Sequence, residues 1–450
     1  MRRYSRRQML KMSGGAVAAA SLAPLLARSA MAQEVPSGQT LDFWWWGEQE
    51  APGLEAWLNE SIRLYGEQSG NTIQPTLQDT SVVISEFQTA SAANAAPDLQ
   101  FLWNGIYHME SVWFGYLEPL NNLLPDELLA NTNATPLSVY QGQQYRTGWY
   151  SVPLLWVYNK ALFDQAGLDA DAPPATWDEL LAASESLKSA GITPIVAGLK
   201  DGPWGEWYMG HATGQNLDSP ADAVNLFIGQ LDWREPRYYE AWDRLAELWN
   251  AGYMNDDVNS IDLYPGIDLF GAGQGAMTQI VGPLVPAQQA LVGAENVGVM
   301  TFPVFGTGAM AGKPIFDNQG IGISSQSDNK EVAADFLTFL HTPDRVSAIW
   351  DGVKQFPTDL SWDGSVVEDP SLRTIWERWI NGDDNVPYIS NLMPTLFWTD
   401  AMFVNSQKII SGEFTGEQAG QNAYDVANRW AEQNPDLVEN YTIWAEDLAL

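Results

Sequence analysis

From Thr40 onward, short runs of β-branched and aromatic residues alternate with stretches in which apolar side chains recur every three or four positions. Leu41-Asp42-Phe43-Trp44-Trp45-Trp46-Gly47 predicts a strand that stops at a glycine. Leu54, Trp57, Leu58, Ile62 and Tyr65 then mark one face of a helix closed by Gly70. Residues 72–77 predict a second strand, 82–94 a second helix and 98–103 a third strand. Such a βαβαβ order implies a parallel sheet covered by helices, with a ligand expected outside the carboxyl ends of the strands. That rule singles out Trp45, Trp46 and Glu48 after the first strand, and Trp103 and Asn104 after the third. Side chains alternate along a strand, so only one of Trp45 and Trp46 is expected to face a ligand.

A second unit of the same kind begins near Val152. Residues 152–158 predict a strand that carries Trp156, a further candidate ligand contact. Thr176-Trp177-Asp178-Glu179 has capping-box spacing and opens a helix that runs to Gly191, with a strand expected over 192–199. The following Asp201-Gly202-Pro203-Trp204-Gly205-Glu206-Trp207 reads as a Gly/Pro loop. A loop gives two tryptophans no packing role, so Trp204 and Trp207 are expected to meet a ligand or partner. Further helices are expected over 238–250, over 329–341 with Asp328 as cap, and over 372–380, 396–410 and 416–434. No repeat and no low-complexity linker separates the units. Two α/β lobes joined by a short hinge, with a cleft between them, follow.

Charge removes several function classes. The 450 residues hold 22 Lys+Arg against 56 Asp+Glu, a net −34, which opposes nucleic-acid and anionic-membrane partners. Absent cysteine excludes disulfides, thiolate metal sites and thiol nucleophiles, and three histidines leave little for an imidazole centre; neither a cofactor nor a metal is expected. The 21 tryptophans are the unusual feature, and those at helical spacing, such as Trp57, Trp113, Trp177, Trp242 and Trp430, are expected to pack.

The N-terminus has its own pattern. Ser5-Arg6-Arg7-Gln8-Met9-Leu10-Lys11 has the twin-arginine export pattern, residues 12–27 are uncharged, and Ala30-Met31-Ala32 is a cleavage site before Gln33. Residues 1–32 are therefore expected to be a signal peptide, leaving a soluble periplasmic protein without the cysteine a lipid anchor needs. Its removal takes six basic residues and no acid, so the mature chain carries a net −40.

Three rival motifs are set aside. Gly271-Ala272-Gly273-Gln274-Gly275 lacks the order of a dinucleotide fingerprint and the Lys-Ser/Thr of a phosphate loop. Ser327-Asp328-Asn329-Lys330 has Ser-x-x-Lys spacing, but a helix cap accounts for it. Acidic pairs such as Asp256-Asp257 lack the ligand order of a calcium loop.

The order of several segments resembles the extracellular solute-binding proteins of the maltose-binding type, receptors of ATP-binding-cassette importers. They include Ala96-Pro97-Asp98-Leu99, Gly115-Tyr116-Leu117-Glu118-Pro119-Leu120, Tyr158-Asn159-Lys160-Ala161-Leu162-Phe163 and Thr176-Trp177-Asp178-Glu179-Leu180. Phe270-Gly271-Ala272-Gly273-Gln274-Gly275-Ala276-Met277, Gly282-Pro283, Gly320-Ile321-Gly322-Ile323 and Phe397-Trp398 complete the series, which spans most of 41–435. The resemblance implies an α/β, two-lobed type II periplasmic-binding-protein fold, each lobe a mainly parallel sheet flanked by helices. It would divide the chain into 33–151 with 304–343, and 152–303 with 344–450. It also implies a binding protein rather than an enzyme, expected to be monomeric, that closes on a mono- or oligosaccharide and passes it to membrane permease subunits.

By the same resemblance Trp398 matches a stacking tryptophan, and Asp317 and Asn318, with Gln319 beside them, lie where relatives place polar contacts. Two departures, the four residues between Pro153 and Tyr158 and Leu284 in place of a stacking Trp, point away from maltose itself. The rival classes are a glycosidase working through two carboxylates and a receptor for a cationic compatible solute.

Overall fold

The computed structural model describes residues 35–132 and 137–448, so the expected signal peptide and the Ala32/Gln33 cleavage site lie outside it. In chain order the fold begins β1 (Thr40–Trp45), α1 (Leu54–Ser69), β2 (Thr72–Leu77), α2 (Val83–Ala92), β3 (Leu99–Leu102), α3 (Ile106–Trp113). It continues β4 (Thr147–Ser151), β5 (Leu154–Asn159), α4 (Trp177–Ser189), α5 (Pro203–Gly214), β6 (Met277–Val281), β7 (Val297–Met300), β8 (Ile315–Phe316), β9 (Asn318–Ile323). The last part adds α6 (Lys330–Leu340), α7 (Pro343–Val353), β10 (Val386–Pro387), a helical run over 395–410, α8 (Gly416–Gln433) and α9 (Pro435–Leu448).

The first sheet has the order β2-β1-β3-β9-β4. β1 is parallel to β2 and β3, while β9 is antiparallel to β3 and β4. Alternation places Leu41, Phe43 and Trp45 of β1 in the core, as a one-face strand requires. α1 buries Leu54, Trp57, Leu58, Ser61 and Tyr65, the face its spacing predicts, and Gly70 ends it in the left-handed conformation.

The second sheet runs β10-β8-β5-β6, with β7 also paired to β5. Here the expectation of a mainly parallel sheet is not met, because β5 is antiparallel to β6, β7 and β8. The parallel strand expected over 192–199 survives only as single bridges from Ile195 to Met254 and Met277. Its backbone bonds go to separate partners, Ile195 N–H to the Tyr253 carbonyl (2.9 Å) and Val196 N–H to the Met277 carbonyl (2.9 Å), so no continuous ladder forms.

Three crossings between the sheets lie side by side. Val152 N–H donates to the Asp317 carbonyl (2.8 Å) and Ser151 N–H to the Phe356 carbonyl (2.8 Å). β8 pairs with β5 and β10 of the second sheet, and the next strand, β9, belongs to the first. The chain thus returns to the first lobe at Asp317, not near 304. Residues before it are tied to the second lobe by Val304 N–H to the Ala175 carbonyl (2.9 Å) and Gly308 N–H to the Gln215 carbonyl (2.8 Å). α7, expected in the second lobe, packs on α1, with Trp57 Nε1 donating to the Arg345 carbonyl (3.2 Å).

α4 has the predicted capping box of Thr176 and Glu179. The cap expected at Asp328 is absent: Asn329 begins α6 without a side-chain cap, and its N–H is taken by Ser327 Oγ (3.0 Å), itself bonded to Asp98 (2.5 Å).

Candidate functional site

A cavity of about 650 Å³ opens between the two sheets, at the strand ends the topology indicated. The first sheet and its loops contribute Trp46, Gln49, Glu50, Trp103 and Gln319, and the crossing contributes Asp317. The other wall includes Asp201, Glu206, Trp207, Tyr264, Tyr388, Asn391, Trp398 and Phe403. Among the predicted residues, Trp46, Trp103, Trp207, Asp317 and Trp398 are therefore brought together.

Local structure explains how each is aimed. Gly47 has φ +137°, and a Cβ there would lie 2.6 Å from the Tyr150 hydroxyl, so only glycine lets the chain turn from β1 into the cavity. Past that turn Glu50 accepts from the Tyr150 hydroxyl (3.0 Å) and from Gln319 Nε2 (2.9 Å). Trp46 donates through Nε1 to Thr80 Oγ1 (2.7 Å) and meets Trp103 edge-on, ring centres 5.0 Å apart. Trp398 packs against Phe403 at 4.7 Å.

The segment expected to be a loop at 201–207 is instead the start of α5, with Pro203 in its first turn, the position where a missing N–H costs nothing. Helical spacing then separates its residues. Pro203, Glu206 and Trp207 share the cavity face, while Trp204 and Tyr208 point into the core, stacked at 5.8 Å.

Six other predicted residues do not line the cavity. Trp45 packs on Trp149 (6.2 Å), and Trp156 is fully buried between Trp204 (6.4 Å) and Phe302 (5.8 Å). These three tryptophans, Trp45, Trp156 and Trp204, are core because alternation or helical spacing turns them inward. Glu48 faces the chain entering α1, accepting from Gly53 N–H (2.8 Å) and Glu55 N–H (2.7 Å). Asn104 and Asn318 both bond the buried Arg146 through their side-chain oxygens. That guanidinium also reaches Ser138 Oγ (2.8 Å) and the Asn318 carbonyl (3.2 Å), pinning β4 to its neighbours.

Sequence reasoning missed Glu50, Glu206, Tyr264, Tyr388 and Asn391. Reading Pro203 as a helix start would have found Glu206, since it shares a face with Trp207. Tyr388 and Asn391 sit in a turn of 3₁₀ helix and its approach, where local pattern carries no such signal.

Burial dominates the electrostatics. It raises Glu50 and Glu206 to about 7 and Asp317 to about 6, against hydrogen bonds that favour ionisation. Glu206 accepts from the Tyr388 hydroxyl, and Ser390 and Trp398 also bond it. Asp317 is opposed by burial but helped by Asn391, the Asn318 N–H and the field of Arg146. Among the described residues, no group of three or more His, Cys, Asp or Glu is arranged to hold a metal ion. Flat aromatic faces and planar polar groups from two lobes equip the cavity to hold a polyhydroxylated solute.

The model of the bacterial extracellular solute-binding proteins matches residues 47–345. A binding protein of Brucella abortus is 26% identical over 297 residues, 62% of this chain and 66% of its own length. The chain thus spans just under two thirds of that relative. A Rhizobium meliloti protein described as a probable sugar-binding periplasmic protein is 29% identical, covering 56% of this chain and 58% of its own. The solved structure of a chitin oligosaccharide binding protein superposes with a TM-score of 0.77 at 22% identity, over 87% of this chain and 98% of that one. Its likeness shows the two-lobed fold.

Proposed function

The chain belongs to the bacterial extracellular solute-binding proteins, and from that membership we propose that it captures a carbohydrate in its interlobe cleft and delivers it to an ATP-binding-cassette importer. The observation that carries the reading is the cavity itself. Four indole rings, Trp46, Trp103, Trp207 and Trp398, flank a set of buried carboxylate and amide groups drawn from both lobes. A solute touching both walls favours the closed form, and closure around a solute is the signal a transporter can read. The name of the Rhizobium meliloti relative points to the same ligand class.

A volume of about 650 Å³ falls within the ~300–1,000 Å³ of sites for drug-sized ligands, the scale of a di- or trisaccharide. The protein works as an exported monomer, made with a twin-arginine signal and released without a lipid anchor. The two sheets with their helices act as the jaws, and the crossings at 151–153, 316–318 and 353–357 act as the hinge. No helix among the described residues is long and apolar enough to cross a membrane. It binds and does not turn over its ligand.

Tryptophan-fluorescence titration with neutral, amino and acidic mono- and oligosaccharides tests the reading. Saturable binding that Trp398→Ala weakens is expected. Release of reducing ends from an oligosaccharide would replace it with a glycosidase, whose two carboxylates Glu50 and Glu206 would supply. Binding of a compatible solute but of no sugar would overturn the ligand class.

A further inference from the structure

The cavity is lined by carboxyl groups without a matching base. Glu50, Asp79, Asp201, Glu206, Asp262 and Asp317 line it, and no Lys, Arg or His does among the described residues. Asp262 has its own partner in Lys200 (3.2 Å), both half-exposed. Arg146 stands behind the wall with no exposed surface, and its N–H groups go to Ser138, Asn104, Asn318 and the carbonyls of Leu102 and Asn318. It reaches Asp317 only through its field.

Three of the acids are buried and come from both sides of the cleft. Asp317 lies close enough to Glu50 and to Glu206 to oppose the ionisation of each. Beside them Gln319, 2% exposed, gives Nε2 to Glu50 and leaves Oε1 in the wall without a donor. A neutral sugar would offer hydroxyl donors to these acceptors and leave the carboxylates without a counter-charge. A protonated amine supplies both, and the indole faces across the cavity also attract a cation.

We infer that the solute is a cationic saccharide, with a protonated amine seated among Glu50, Glu206 and Asp317. The inference rests on the carbohydrate reading above and narrows it. Burial, the largest cause, holds all three carboxyls above their ordinary range, and the field of Asp317 adds to it at Glu50 and Glu206, so a cation seated there would favour their ionised forms.

The test compares glucosamine and its β-1,4 dimer and trimer with their N-acetylated counterparts, which share the skeleton but not the charge. Calorimetric titration of the full-length mature protein would run at about pH 6.5, in about 0.05 M and about 0.5 M salt. The amine series should bind at least tenfold tighter, the gap should shrink in high salt, and Glu206→Gln and Asp317→Asn should each narrow it. An N-acetylated, other neutral or acidic saccharide that binds as tightly as the amines would overturn the inference and leave the carbohydrate reading standing. A gap unchanged in both variants would also overturn it. Failure of every saccharide to bind would remove the carbohydrate reading and this inference together.

Discussion

Glu206→Gln should abolish a pH dependence that the wild-type protein carries in its cleft. Glu206 is 3% exposed on α5, and burial raises its carboxyl from 4.5 to about 7. The folded protein therefore keeps a proton that the unfolded chain has already released. Stability from this group is fully present below pH 4.5 and is lost as pH rises through about 7. One pKa unit corresponds to 1.36 kcal/mol, so the loss amounts to roughly 3 kcal/mol between those limits. Glutamine keeps the shape and cannot ionise, so that slope vanishes in the variant. Its amide also disturbs the contacts with Tyr388, Ser390 and Trp398, but that penalty is the same at every pH.

The observable is therefore the difference between variant and wild type, which should move by roughly 3 kcal/mol in the variant's favour from pH 4.5 to pH 8. With an unfolding entropy of about 2.1 cal/mol/K per residue over about 410 residues, this corresponds to a relative Tm change of about 3 to 4 °C. Thermal unfolding of the ligand-free pair at several pH values reads it directly. Parallel curves across that range would refute the assignment of a neutral buried carboxyl to Glu206.

Trp204→Ala should cost about 3–5 kcal/mol of stability, as emptying a packed core site does, whereas Trp398→Ala should weaken saccharide binding by about tenfold with a small change in Tm. Denaturation and fluorescence titration of both variants would expose a reversed pattern. Arg146→Met should cost at least about 3 kcal/mol, because Asn104, Asn318 and Ser138 lose a charged donor in the core; a urea midpoint within experimental error of wild type would contradict this. Gly105→Ala should hold the cleft open. Gly105 has φ +67° and a Cβ would sit 2.0 Å from the Asn391 carbonyl across the interlobe contact, so weaker binding and a larger radius of gyration by small-angle scattering are expected. Unchanged values of both would show that the contact does not set closure.

Periodicity makes most of the architecture legible in the sequence. The alternation of β1, the apolar face of α1, the capping box of α4 and the βαβαβ order follow from local preferences that packing reinforces. Strand direction in the second sheet did not follow, because antiparallel pairing of β5 with β6 and β7 is a choice among distant partners. Nor did the place where the chain returns to the first lobe, which pairing of β8 with β5 and β10 fixes at Asp317.

The site divides along the same line. Composition alone determined an acidic, tryptophan-rich, cysteine-free chain, and the strand-end rule indicated Trp46 and Trp103, which the fold sets in the cavity wall. It could not tell them from Trp45 and Trp156, nor Trp207 from Trp204, since a tryptophan's chemistry is the same on either side of a strand or helix. Only the tertiary structure gathered Glu50, Glu206 and Asp317, residues far apart in sequence, into one low-dielectric space. There the cost of removing charge from water, which no single residue's identity encodes, turns ordinary carboxylates into groups that titrate near neutrality.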